Sequence, residues 1–447
     1  MMATNRQFLW KPVSIAPLVI FRIGFGLLMF FSILRFWWRG WIKELYVTPS
    51  FHFTYWGFEW VKPLGNPGMY IVFAIILIAA LCIALGLFYR IAIILFFLCF
   101  TYVELIDVTT YLNHYYFISL VAFIMIWLPA NKNYSLDCLL FPSIRTDTIP
   151  AWCINIIRFQ MAVVYVFAGL AKINYDWLIL AEPMRTWLPA KSYFPVIGKW
   201  MYESWMAYLF SWFGMFYDLF IVFFLLNNKT RNISYFFVLV FHIATAVFFP
   251  AIGMFPFVMI VCSLIFFPAA FHQKILQRLP LFQQQNNKTK AVYNFNNNNL
   301  ILWGIILYCL IQVLLPVRFL LYPGKLFWHE QGYRFSWRVM LMEKAGAAYF
   351  TVKDSTGRQF YEVDNKEFLT PLQEKMMSTQ PDLILKYAYH LADVYKQKGI
   401  IEPKVYAEVY VTLNSVPSKL FIDSTVNLAA QKISWKNYDW VLPWQTK

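Results

Sequence analysis

SIAPLVIFRIGFGLLMFFSIL, residues 14–34, carries a single charge, Arg22. A helix rises about 1.5 Å per residue and the hydrocarbon core of a bilayer is about 30 Å thick, so about 20 apolar residues are needed to cross it. This run has that length. No small-residue cleavage site follows it, so it reads as a first transmembrane helix and not as a removable signal. Outward from it, eight more apolar segments follow, at 69–88, 91–106, 115–129, 151–171, 207–226, 233–249, 252–269 and 299–318. The third and fourth helices are short enough to be tilted or partly enclosed by protein. The whole chain is 60% hydrophobic, 21% aromatic and only 14% charged, far from a soluble globular mean. The fold expected is a polytopic α-helical membrane protein of about nine transmembrane helices with a C-terminal α+β, β-rich soluble domain.

The net charge of +15 comes from basic residues scattered between apolar segments. They form no run and no patch interleaved with aromatics, so nucleic acid is not the expected partner; the lipid bilayer is. Nine crossings put the termini on opposite sides. Arg6, Lys11, Arg90, Lys132, Arg145, Lys229, Arg231, Lys274, Arg278, Lys288 and Lys290 fall on the N-terminal side, opposed in the same short loops by Asp137 and Asp147. The bias of basic residues towards the cytoplasm makes that side cytoplasmic. The exoplasmic side, periplasmic in a bacterium and lumenal in a eukaryote, then holds the loops around 107–114, 172–206 and 249–252 and everything after about 320.

QQQNNKTKAVYNFNNNN, residues 283–299, is polar and low in complexity, so the stretch 281–298 reads as a cytoplasmic linker. The membrane domain is expected over 1–322 and the soluble domain over 323–447. In the latter, AAYFTVKD (347–354), RQFYEVD (358–364) and KVYAEVYVTLN (404–414) alternate like half-buried strands. PDLILKYAYHLADVYKQKG (381–399) has the period of an amphipathic helix ended by Gly399. The six cysteines show no C-x-x-C spacing, and neither a disulfide framework nor a metal site is indicated.

Ionisable groups at membrane depth are costly and usually face the bundle interior or a wet cavity. His114 with Asn113, Arg158, Lys172, Asp218 and His242 are the candidates, and Arg22 reads as a bundle or snorkelling residue. Arg158 and Asp218 are expected to pair across helices as structural glue. Lys172, at a helix end, either snorkels to the interface or sits against apolar walls; burial disfavours the charged form of an amine and makes it a usable general base. His242 is either a core histidine or a pocket residue. Asn113 and His114 either cap a helix or offer adjacent hydrogen-bonding groups to a polar ligand. The topology brings His114, Lys172 and His242 near one exoplasmic end.

TTYLNHYYF (109–117), VFAGLAKINYDW (166–177), FHIATAVFFPAIGMF (241–255) and HEQGYRFSWRVML (329–341) stand in the order found in vitamin K-dependent γ-glutamyl carboxylase and its bacterial relatives. The chain resembles that family, with its HTTM-type membrane domain, from about residue 12 to the closing WVLPW (440–444). The resemblance implies oxidation of vitamin K hydroquinone, of menaquinol type in a bacterium, by O2 to the epoxide. That oxidation is coupled to addition of CO2 to glutamate side chains of a protein or peptide, with no metal. It implies Lys172 as the amine that deprotonates the hydroquinone, His114 as an active-site histidine and Asn113 beside it at the glutamate. His242 is implied in the pocket, Arg185 as the nearest cation for a substrate carboxylate, and Tyr111, Tyr333 and Trp337 as lining. Position 108 is Val and position 245 Thr, where family members often carry Lys and Asn. Two other readings stay open: an enzyme that only epoxidises the quinol or carboxylates another acid, and a non-catalytic quinone-binding protein or transporter.

Overall fold

A computed structural model of the chain describes residues 8–278, 292–295, 298–356 and 358–445. All nine apolar segments are helical among these residues. They form α1 (Ala16–Trp38), α2 (Gly65–Leu85), α3 (Tyr89–Ile106), α4 (Asn113–Trp127), α5 (Trp152–Ala171), α6 (Ser204–Leu226), α7 (Arg231–Phe248), the pair α8 (Phe255–Ser263) and α9 (Ala269–Leu276), and α10 (Asn298–Val317). Seven are long and apolar enough to span, or eight if the pair α8 and α9, bent by 111°, is one broken span. The expected count of nine is reduced at α4, whose 15 residues reach about 22 Å at the helical rise, short of a bilayer core. Its buried face, including Phe117, Ile118, Val121 and Met125, lies in protein.

The loops divide onto two faces as the sequence orders them. On the N-terminal face, β1 (Pro12–Ser14) pairs antiparallel with β2 (Thr148–Pro150). Asp137 accepts from the amides of Phe88 (2.7 Å) and Tyr89 (3.1 Å), a carboxylate at the first turn of α3 where the helix leaves donors unpaired. Arg22 does not snorkel. It is fully buried and donates to the Tyr134 carbonyl at 2.6 Å, against Gly86, where a Cβ would stand 1.6 Å from its Nη1. The expected linker at 281–298 lies largely outside the described residues; within it, the Tyr293 amide donates to Thr148 O at 3.0 Å.

On the other face sits the soluble domain. Its sheet has the order β4 (Phe360–Val363), β3 (Lys344–Lys353), β5 (Lys404–Leu413), β6 (Val416–Leu420), with every neighbouring pair antiparallel. Along β5, Val405, Ala407, Val409, Val411 and Leu413 are buried, the period of two that one covered sheet face produces. The cover comes from α11 (Pro371–Met377) and α12 (Pro381–Gln397), the latter through Leu383, Ile384, Tyr387 and Leu391.

The domain is bolted to the loops beneath it by buried polar groups. Asp107 accepts from Thr109 N (2.9 Å), Thr109 Oγ1 (2.7 Å) and Gln373 Nε2 (2.9 Å), and contacts His52 Nδ1 at 3.2 Å. Asp176 pairs with Lys325 (2.8 Å) and accepts from Asn414 Nδ2 (2.8 Å), and Glu182 accepts from Ser415 Oγ at 2.9 Å. Asp107→Ala strands one Gln373 N–H, the other still donating to Phe51 O at 2.7 Å, together with the Thr109 hydroxyl, and each buried polar group left unsatisfied costs about 1–3 kcal/mol. We expect that variant to have a lower thermal midpoint and faster proteolytic release of the soluble domain; an unchanged protease half-life would show that Asp107 does not hold the domains together.

Candidate active site

VFAGLAKINYDW ends α5, and each polar or small residue in it has a local task. At Gly169 a Cβ would lie 2.6 Å from Leu219 N and 2.8 Å from Leu219 Cα, so the missing side chain lets α5 and α6 touch backbone to backbone. That approach sets Lys172, three residues on, beside Asp218, one residue before Leu219. Lys172 Nζ lies 2.6 Å from Asp218 Oδ2 and 3.3 Å from Ala168 O. Asn174 then turns the chain, accepting from Trp177 N at 3.0 Å and donating to Ala171 O at 2.9 Å. Trp177 returns over the lysine, its ring centroid 5.4 Å from Nζ and its Nε1 donating to Ser211 O at 2.7 Å.

The pair borders a cavity of about 340 Å³ between α5, α6, α7 and α8, at the small end of the roughly 300–1,000 Å³ of ligand pockets. Its walls are mainly apolar; the polar side chains are Lys172, Asp218, Tyr165 and Thr245. Thr245 spends its hydroxyl on Phe241 O at 2.7 Å. Leu209, Phe213 and Val240 line the cavity and are also 52%, 43% and 44% exposed, so between α6 and α7 the wall faces lipid. Val339 and Met340, from the segment after α10, close it on the side of the soluble domain.

His242 stands behind this wall: its Nε2 lies 3.0 Å from Tyr165 OH, and its Nδ1 is buried with no partner among the described residues. His114 is buried as well but does not line the cavity. Its ring lies 6.1 Å from that of Phe255, which is itself 5.9 Å from the ring of His242. Phe255 does line the cavity. Of the expected gathering of Lys172, His242 and His114, the two histidines flank Phe255, which lines the Lys172 chamber, with His114 outside it.

The remaining expected site residues are placed as follows. Asn113 donates to Arg338 O at 2.9 Å and accepts from Tyr111 OH at 3.1 Å, and that hydroxyl accepts from Phe335 N at 2.8 Å. Both side chains thus staple α4 to the segment after the last helix. Trp337 is buried and stacks on Tyr116 at 5.0 Å, and Tyr333 packs against Phe327 at 6.2 Å. Arg185 is exposed, 3.4 Å from Tyr208 OH; its neighbour Met184 faces the cavity. Val108 is buried, its amide donating to Phe53 O at 2.7 Å. Among the described residues no group of three His, Cys, Asp or Glu could hold a metal ion.

The expected pairing of Arg158 with Asp218 is corrected. Asp218 belongs to Lys172, and Arg158 Nε donates to Ile265 O at 3.0 Å, a carbonyl at the bend between α8 and α9. Sequence reasoning thus named Asp218 but gave it the wrong partner, and it missed Trp177. The available signal was that an intramembrane carboxylate needs a cation and that α5 offers two.

The family model described as HTTM domain matches residues 10–271. A second, described as vitamin K-dependent gamma-carboxylase, lumenal domain, matches residues 297–447, α10 included. No solved structure matches the chain.

Proposed function

The chain belongs to the vitamin K-dependent γ-carboxylase family, its HTTM domain joined to that family's lumenal domain, and from this premise we propose that it oxidises vitamin K hydroquinone and uses that reaction to carboxylate glutamate side chains of a protein or peptide. One observation carries the reading: a buried lysine amine, held by one carboxylate, at the end of an otherwise apolar cavity that faces lipid. A quinol of the bilayer suits such walls, its ring in the cavity and its isoprenoid tail leaving between α6 and α7.

The hydroquinone, oxidised by O2 when bound, supplies the strong base that a glutamate γ-proton requires. This chain's residues do the rest. Once its own proton has left, Lys172 Nζ takes the hydroxyl proton, and Asp218 Oδ2, one hydrogen bond away, re-forms the charged pair with the ammonium. Trp177 and Met340 keep water from that proton, and Tyr165, backed by His242, offers the ring a hydroxyl. His114, across Phe255, faces the glutamate. The basic face of the helices is cytoplasmic by the charge bias, and the chemistry is exoplasmic.

The test is purified protein in lipid with vitamin K hydroquinone, O2, labelled bicarbonate and a glutamate-containing peptide. Epoxide and labelled peptide should form together, and peptide outside sealed right-side-out vesicles should be labelled without permeabilisation. No epoxide would end the reading. Epoxide without labelled peptide would favour a second one, oxidation of the quinol alone, for which the position of Phe255 between His114 and the cavity speaks.

A further inference from the structure

A second cavity, of about 150 Å³, lies at the seam between the domains. No residue lines both cavities. Arg318 at the end of α10, the turn from His329 to Arg334, Asp382 and Lys386 of α12, and Trp435 of the C-terminal loop enclose it, with Trp56 from the first loop opposite. Its two carboxylates are already committed. Asp382 is held by Arg334 through contacts of 2.6 and 3.2 Å, and Glu330 by Lys344 at 2.7 Å.

Three donors in the wall have no anion. Arg318 donates only to the carbonyls of Leu315 (3.2 Å) and Arg334 (2.5 Å), and Lys386 only to that of Thr54; neither is ion-paired among the described residues. The third is His329, 7% exposed. Its Nδ1 accepts from Gln331 N at 3.1 Å, which leaves the proton of the neutral ring on Nε2. That Nε2 is buried, with the Gly324 carbonyl beside it but outside ordinary hydrogen-bond geometry. Burial, with the charge of Lys344, pushes the imidazole down to about 4, so it is a neutral donor at pH 7. Two cations without an ion pair around one small polar cavity call for an anion, and a planar guanidinium suits a carboxylate.

We propose that the seam cavity is a docking subsite for a carboxylate side chain of an acidic peptide, apart from the chamber at Lys172. The volume admits one side chain. Most of the wall belongs to the soluble domain, which favours a peptide over a lipid headgroup. The inference rests on the reading above that the substrate is a glutamate-bearing peptide, and it says where a glutamate not undergoing reaction is held. Residues 329–334 wall this cavity while 339 and 340 close the other. Along residues 330–340, Glu330, Phe335, Trp337 and Met340 all have positive φ, between 53° and 60°, a strained run of the kind that clusters at binding sites. Occupancy of the seam thus bears on the wall of the quinol chamber.

The test is binding without turnover: full-length protein in phosphatidylcholine nanodiscs, no hydroquinone, and a dye-labelled peptide with two glutamates against its glutamine isostere. The glutamate peptide should bind at least about tenfold more tightly, as one charge-assisted contact of about 1.5–3 kcal/mol gives. Arg318→Gln with Lys386→Gln should bring the ratio to within about twofold, while Lys386→Arg, which keeps the charge, should retain it in equally stable protein. Equal binding of the two peptides by the unaltered protein overturns the proposal, as does a preference that survives in the double variant. Displacement of the peptide by phosphatidylglycerol in the disc would assign the cavity to lipid and overturn it too. The preference and the epoxidation assay are independent, so either can fail alone.

Discussion

Lys172→Met should lower epoxide formation by about 10²–10⁴-fold, the range contributed by a positioned general base, and should cost stability as well. The methionine, one atom shorter than the lysine, leaves Asp218, 9% exposed at its side chain, as a buried charge without a partner. Breaking a buried pair in this way costs about 3–5 kcal/mol. Lys172→Met with Asp218→Leu replaces both charges by apolar groups. It should regain most of that stability in a thermal melt and none of the activity. A double variant that folds well and still makes epoxide would remove Lys172 from the chemistry. A single variant as stable as the parent would mean that water, and not the lysine, satisfies Asp218.

The second large effect belongs to a residue with no side chain. Gly169→Leu forces α5 and α6 apart where a Cβ would meet Leu219 N at 2.6 Å, and neither backbone can yield. Lys172 is carried away from Asp218 and from the cavity together. A misplacement of about 1 Å at a reacting group costs roughly 10²-fold, so epoxidation should fall by about that factor or more in protein that still inserts and carries its soluble domain. Gly214, which borders the same chamber with 3.8 Å to Trp177 and 3.9 Å to Lys172, is the control: alanine there meets only ordinary contacts and should cost far less. Equal losses at the two positions would separate activity from the helix contact.

The grouping of loops onto two faces, the alternation in β3 and β5 and the four motifs in register were all legible, because each rests on local spacing. What escaped was axial stagger. Counted in residues from the N-terminal face, Arg158 and Asp218 stand nearly level. The contact of Gly169 with Leu219 slides α6 along α5 and brings Lys172 to that carboxylate instead. Sequence spacing says how far along its own helix a residue sits and nothing of where the neighbouring helix starts. Arg185 lies off the cavity for a related reason: the short helix Met184–Trp187 presents Met184, not the arginine, to it. The seam cavity was invisible because its walls are assembled from residues as distant as Trp56, Arg318, Lys386 and Trp435.

The closing of the Lys172 chamber by Val339 and Met340 bears on biosynthesis. A ribosome delivers α1 to α8 to the membrane before it has made either residue, and the staple from Asn113 to Arg338 has no far end until the last helix is in place. Up to that moment the half-made chain holds its lysine against open water. The order of translation therefore leaves the chamber open until the last of its walls, Val339 and Met340, has been made.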